Sequence, residues 1–368
     1  MRASRLPGWA EYGLLPALNL LLAFLVAGAV VLAIGEDPLQ ALGLLVLGAV
    51  GNGEAIGYPL FYATNFVFTG LAVAVAFHAG LFNIGGEGQA TLGGLGLTLV
   101  CLALDGLPLP VVLPIALAAA ALFGAGWAFV PGWLQARRGS HVVITTIMFN
   151  FIASALLTWL LVNVLIKPGQ QAPETRFFDE RVWLPTAHGA LAALGLEMPK
   201  TPLNLAFVAA LACAALVWVF LWRTRWGYAL RAVGHNESAA VYAGIDPGRI
   251  VIGAMLLSGA LSGLVALNEV MGTQHRLVLN FVGGAGYVGI AVSLMGRNHP
   301  AGIVLAAVLV GALYQGGSEL SFDMPKLTRD MVVVIQGLII LVCGALEYAL
   351  RGPIEAWFRR GARSEARP

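Results

Sequence analysis

The stretch "GLFNIGGEGQATLGGLG", residues 80–96, carries seven glycines and places Asn83, Glu87 and Gln89 between long apolar runs. Glycine costs about 1 kcal/mol per residue in a helix interior. A carboxylate at the centre of a lipid-spanning helix costs roughly 2.5–3.5 kcal/mol even on the gentler insertion scales. Glu87 is therefore expected to point into protein or a wet cavity. In lipid every freed backbone group must find a partner, so Gly85-Gly86-x-Gly88 predicts a helix end or kink between two membrane spans.

The surroundings are apolar from end to end. Of 368 residues, 59% are hydrophobic and 11% charged, against about 25% charged in soluble domains. Tyr12–Gly35, Val111–Val130, Leu203–Leu221 and Met331–Leu350 each approach the roughly 20 residues that cross a bilayer. The fold class is all-α, a polytopic membrane protein. The first run is too long for a signal-peptide core and no small-residue cleavage site follows, so it reads as a retained first helix. Cys101, Cys213 and Cys343 lie far apart in apolar runs and read as free thiols. A net charge of +2 gives no reason to expect a nucleic-acid partner.

Ten spans are predicted near 12–35, 59–79, 88–104, 110–130, 141–165, 203–221, 250–270, 284–296, 300–317 and 329–350, the eighth short enough to be broken or re-entrant. With the N-terminus inside, Lys167, Arg176, Arg181, Lys200, Arg276, Lys326 and Arg329 fall outside, and the other fourteen of the 21 Lys and Arg residues fall inside. That bias puts both termini in the cytoplasm. The organisation is one transmembrane domain over 1–350 with a basic cytoplasmic tail, 351–368. It has a long outer loop over 166–202 and a long inner loop over 222–249.

A second glycine break, "FVGGAGYVG" (Phe281–Gly289), begins like the first, and the span entering it runs the opposite way. Gly283, Gly284 and Gly286 thus pair with Gly85, Gly86 and Gly88 as helix breaks. Paired interruptions in two inverted halves point to a substrate pathway. Spans two to five and seven to ten are the candidate halves. The fifth span carries Thr146, Asn150, Ser154 and Thr158 at i, i+4 spacing, on one face. The stripe either lines a pathway or bonds helix to helix and back to its own carbonyls. Gly259 and Gly263 suggest close helix packing. Glu269 is either interfacial or faces a cavity.

In the inner loop, "ALRAVGHNESAAVYAGI" (229–245) is too apolar for a plain linker. It predicts short helical patches, Ala229–Val233 and Ser238–Tyr242, separated by Gly234-His235-Asn236. Asn236 caps the second, Ala239 and Ala240 face a neighbour, and Gly244 with Asp246-Pro247-Gly248 stops it. Such a helix suits either a partner's groove or the membrane surface.

"AGLFNIGGEGQ", "GSHVVITTIMFNFIASALL", "LRAVGHNESAAVYAGI" and "GYVGIAVSLMGRNHPAGI", in that order, resemble the permease subunits of bacterial ATP-binding-cassette importers for nucleosides and simple sugars. Within the branched-chain amino acid and monosaccharide permease superfamily, the resemblance is strongest to the larger permease of nucleoside importers that work with basic-membrane-protein-type binding lipoproteins. It runs from roughly Pro59 to Leu350. It implies ten helices in two inverted halves, similar to the ribose and cobalamin importer permeases, in the bacterial cytoplasmic membrane. It implies that Gly234, His235, Asn236, Ala239, Ala240, Tyr242 and Gly244 form the coupling helix seated on an ATPase subunit. A second permease in a heterodimer and an extracytoplasmic binding lipoprotein are the other implied partners.

No GxxxxGK[ST] sequence is present, so no ATP site of its own is expected. The six histidines show no HExxH spacing and no GxSxG occurs, which argues against an enzyme and against a metal or other cofactor. The substrate pathway is assigned to Asn83, Glu87, Gln89, Thr146, Asn150 and Glu269. Asn83, Glu87 and Gln89 either face the route or brace the broken helix ends. A nucleoside suits such a lining. A monosaccharide such as ribose or a branched-chain amino acid carried by the same machine, and an ion-coupled secondary transporter, are the alternatives.

Overall fold

The computed structural model describes residues 7–51, 53–167, 169–192, 195, 199–343 and 352–354. Most of the predicted basic tail, the end of the tenth span and Arg2 and Arg5 lie outside the described residues. The helices are α1 (Leu15–Ile34), α2 (Pro38–Val50), α3 (Gly53–His78), α4 (Gly86–Ala103), α5 (Leu109–Arg138), α6 (Val142–Asn163) and α7 (Ala187–Ala192). They continue with α8 (Ala206–Arg223), α9 (Arg225–His235), α10 (Glu237–Tyr242), α11 (Pro247–Gly263), α12 (Ala285–Met295) and α13 (Pro300–Asp323), and α14 covers 329–343. Two π-helical stretches, Ala10–Leu14 and Leu267–Gln274, extend α1 and α11.

A helix stands at each of the ten expected places, and the chain is an all-α polytopic membrane protein. Among the described residues, seven helices are long and apolar enough to cross a bilayer. The 11 residues of α12 rise only about 17 Å, roughly half a hydrocarbon core. Outward faces are oily: Phe151 is 66% exposed, Leu122 69% and Leu216 66%. Runs of exposed large apolar side chains suit lipid rather than water.

The chain divides into two compact units, 1–55 with 313–368, and 56–312. In the first, Ala27, Val31, Leu45, Leu313, Leu320 and Ile335 share a core. The buried amide of Gln336 donates to the Leu313 carbonyl at 2.9 Å. Asp37 caps α2 by accepting the Leu39 N–H at 2.8 Å.

In the second unit α3 is the buried axis, with Val67, Phe68, Leu71, Ala74 and Ala76 essentially inaccessible. Around it α4, α5 and α11 approach backbone to backbone. A Cβ on Gly263 would lie 2.3 Å from the Ala120 carbonyl, and one on Gly259 2.4 Å from the Gly124 carbonyl. The Gly259/Gly263 pair is thus a close-packing surface, as its spacing predicted.

Tyr58 and His78 lie at opposite ends of α3, about 30 Å apart at 1.5 Å per residue. At the His78 end the imidazole meets the Trp222 ring at 5.5 Å, and Trp222 meets His299 at 5.1 Å. Gly234 of α9 also packs there, too close to the His78 carbonyl for any side chain. At the Tyr58 end residues 174–184 of the long loop fold over residues 271–278. Thr175 and Leu277 exchange hydrogen bonds, Trp183 stacks on His275 at 3.9 Å, and Glu174 pairs with Arg276 at 2.8 Å.

One local expectation is corrected. Gly234 and His235 do not separate two helical patches. They belong to the last turn of α9, and Asn236 alone makes the break. Its extended backbone (φ −162°, ψ 106°) ends α9, while its side chain accepts the Ala239 N–H at 2.9 Å and starts α10.

Candidate functional site: converging helix ends and an aromatic cleft

After α3 ends, the chain turns and runs back beside it. The Leu81 N–H returns to the Ala76 carbonyl, and Asn83 donates to Ser258, whose hydroxyl donates to the Ala72 carbonyl. Helix α4 therefore begins inside the unit. Helix α12 begins at the same level, because a Cβ on Gly86 would lie 3.5 Å from the Gly286 Cα. From this meeting point the two run opposite ways. The Leu102 carbonyl at the end of α4 accepts a hydrogen bond from Arg176 of the long loop. Helix α12 leads to His299 beside Trp222. Two helices with N-termini converging in the interior are the physical form of the paired glycine breaks.

Each N-terminus carries orphan N–H groups and a partial positive charge. Glu87 satisfies one of them. One carboxylate oxygen accepts the Gly284 N–H and the other the Gly286 N–H, both at 2.9 Å. Asn150 of α6 satisfies the other, accepting the Gly88 N–H at 2.9 Å. The same amide donates to the Ile84 carbonyl at 3.0 Å and the Tyr287 hydroxyl at 3.2 Å. Asn83 and Gln89 bond each other reciprocally at 3.0 and 3.2 Å.

The glycines play two roles where one was expected. Gly85 stands at the start of α4, and Gly283 and Gly284, at φ 59° and 83°, turn the chain into α12. Gly88 and Gly286 break nothing and sit inside the first helical turns. They are glycine because neighbours approach there: a Cβ on Gly286 would lie 2.2 Å from the Glu87 nitrogen, and one on Gly88 2.9 Å from the Asn150 side-chain oxygen.

Glu87, Thr91, Asn150, Ser154, Phe281 and Tyr287 line a cavity of about 190 Å³ beside this junction, below the roughly 300 Å³ at which small-molecule sites begin. Along α6, Thr146 and Thr158 bond their own i−4 carbonyls at 2.8 Å, so of that stripe Asn150 alone braces another helix.

Glu269 lies elsewhere, in the π-helical stretch near the Tyr58 end. It accepts a hydrogen bond from Asn65 of α3 and lines an open cleft of about 610 Å³ with Tyr58, Phe61, Tyr62, Lys200 and Thr201. The structure thus brings Asn83, Glu87, Gln89, Thr146 and Asn150 around one junction and places Glu269 at another site. Sequence reasoning missed Tyr58, Asn65, Thr201 and Tyr287. Asn65 alone had a local signal, an amide within the apolar run "FYATNFVFTGLA" (61–72).

Glu87→Gln is expected to lower stability by about 1.5–3 kcal/mol, the value of a hydrogen bond to a charged group. The amide keeps one acceptor and turns an NH₂ towards an N–H. Thermal unfolding in detergent reads this as a lower midpoint with unchanged helix content, and an unshifted midpoint contradicts the bracing role.

The family model described as "Branched-chain amino acid transport system / permease component" matches residues 55–343, which include both helix breaks, α9–α10 and the cleft. The chain belongs to that permease family. The permease is 34% identical over 354 residues to the guanosine ABC transporter permease protein NupP of Bacillus subtilis, covering 95% of this chain and 97% of that one. It is 32% identical over 359 residues to the glucose ABC transporter permease protein TsgB13 of Haloferax volcanii (96% and 93%). The nucleoside ABC transporter permease protein NupB of Lactococcus lactis is 30% identical over 330 residues, 89% of each chain. No solved structure matches the permease significantly.

The surface element at the His78 end completes the geometry. In α10 Ala240 is buried while Ala239 is exposed, and Tyr242 is 94% exposed. Gly244, at φ 77°, ends the helix, and Asp246 starts α11 by accepting the Gly248 N–H at 2.9 Å.

Proposed function

We propose that the permease is the membrane subunit of an ATP-driven importer for nucleosides, worked by a separate ATPase that seats on α10. The observation that carries this reading is the 34% identity to a guanosine ABC transporter permease along nearly the whole of both chains. The exposed α10, with Tyr242 projecting, supports a cytoplasmic docking element made of Gly234, His235, Asn236, Ala239, Ala240, Tyr242 and Gly244. On this reading the His78 end is cytoplasmic, the Tyr58 end faces outward, and both termini lie inside.

The chain's own part is mechanical. Gly234 sits against the last turn of α3, so force on α10 passes through α9 into the buried axis. The clasp at Glu87 and Asn150 holds α4 and α12 end to end, and its rearrangement is the step that opens the route beside Tyr287. A second permease and a binding lipoprotein that delivers substrate to the outer end complete the assembly. Import of a monosaccharide is the second reading, favoured by 32% identity to a glucose ABC transporter permease.

The test is purification from native membranes followed by vesicle uptake of labelled guanosine, glucose and leucine. Co-purification of an ATPase and ATP-dependent accumulation of guanosine are expected. Accumulation of glucose alone favours the second reading. Accumulation driven by an ion gradient without ATP overturns both.

A further inference from the structure

We infer that the cleft at the Tyr58 end is a solute-binding subsite in which Glu269 accepts hydrogen-bond donors carried on a ring stacked against α3. The inference rests on the proposed importer function and names where and how its substrate is first held. The cleft, about 610 Å³, falls within the roughly 300–1,000 Å³ of small-molecule sites, unlike the cavity beside Tyr287.

One wall is aromatic. Tyr58, Phe61 and Tyr62 stand at i, i+3 and i+4 on α3, hence on one face. The other walls are polar and held in place. Asn65 donates to Glu269 and accepts from Asn268 at 2.9 Å. Asn268 accepts from Asn204 at 3.0 Å, and Asn204 accepts the Ala206 N–H at 2.9 Å. A carboxylate at the end of such a chain is fixed before any ligand arrives. The second Glu269 oxygen has no partner among the described residues. The residue also sits in a π-helical stretch, a distortion that recurs at functional sites.

Thr201 forms another part of the wall. It is only 7% exposed, and its hydroxyl, shut off from solvent against Gly57, has no hydrogen-bond partner among the described residues. Because solvent does not reach that hydroxyl, Thr201 shapes the wall and offers a ligand no hydrogen bond. Lys200 on the cleft wall disfavours a cation opposite Glu269. The complement is a neutral ring with adjacent donors. In a nucleoside two groups meet that description, the N–H edge of a guanine-type base and the vicinal hydroxyls of the ribose.

The experiment uses the purified complex in nanodiscs, photolabelled with 8-azidoguanosine, with guanosine, 2′,3′-dideoxyguanosine and ribose as competitors. Label is expected on peptides containing Tyr58 or Glu269, chased by guanosine. Chase by dideoxyguanosine assigns the donors to the base, and chase by ribose assigns them to the sugar. Glu269→Gln, which keeps an acceptor for Asn65, is expected to weaken labelling about 10- to 100-fold. Thr201→Val, which keeps the shape of the wall, is expected to leave labelling unchanged. The melting temperature should hold in Thr201→Val, since that hydroxyl bonds nothing among the described residues. Labelling unchanged in Glu269→Gln, or label confined to other peptides, overturns the inference. ATP-driven uptake of guanosine by wild-type vesicles, run in parallel, keeps the two readings apart. Uptake with unchanged labelling overturns the subsite alone, whereas absence of any nucleoside or sugar uptake overturns the importer function beneath it.

Discussion

Gly286→Ala is expected to destabilise the protein by about 4 kcal/mol or more, near the upper end for single substitutions. The added Cβ would lie 2.2 Å from the Glu87 nitrogen, 2.6 Å from the Glu87 Cα and 2.7 Å from the Gly86 carbonyl carbon. All three are backbone atoms, so no rotamer change relieves the clash. Overpacking a tight contact costs about 1–3 kcal/mol by itself. Here relief also pulls Gly284 and Gly286 away from the Glu87 carboxylate, losing two hydrogen bonds to a charged group. Gly253→Ala in α11 is the control, because nothing lies within 4 Å of its added methyl. It is expected to be neutral or to stabilise by a few tenths to 1 kcal/mol. Detergent melting curves of the two variants compare them directly. Equal stability for Gly286→Ala and wild type contradicts the meeting of α4 and α12.

The second large effect is functional. Ala239→Glu is expected to cut ATP-driven uptake by about 30-fold or more, in the range of lost interface hot spots, while leaving membrane insertion and melting temperature unchanged. Ala239 is exposed on α10, one residue from Ala240, which is buried. A carboxylate at this exposed position is expected to act on a partner rather than on the chain's own packing. Tyr242→Ala is expected to act in the same direction, because a ring left 94% exposed has its apolar body unused until something covers it. Full uptake in both variants contradicts docking of the ATPase through α10.

The spans were legible because they follow from length and composition. The ten apolar runs return as helices at the ten expected places, and the shortness of the eighth returns as the 11 residues of α12. The glycine breaks were legible as breaks. What they join was not, because Glu87 caps a helix that begins at Ala285, and no local pattern records a partner that far along the chain. The same holds for Asn150, read as one member of a polar stripe when its amide alone crosses to α4. The α9–α10 junction was misjudged because Gly234 looks like a helix stop. It is tolerated inside α9 because the His78 carbonyl leaves no room for a side chain. The cleft was invisible because Tyr58, Thr201 and Glu269 come from three distant segments, and because the π-helical turn that sets Glu269 has no sequence signature.

The central claim is that this chain shapes a route and supplies no driving force. Vesicles containing the chain alone, and vesicles containing it with its co-purified ATPase and binding protein, can be loaded with ATP and offered labelled guanosine outside under an imposed ion gradient. The expected result is uphill accumulation only in the complete assembly, abolished by a non-hydrolysable ATP analogue. Uphill accumulation by the chain alone, sustained by the gradient and indifferent to nucleotide, contradicts it.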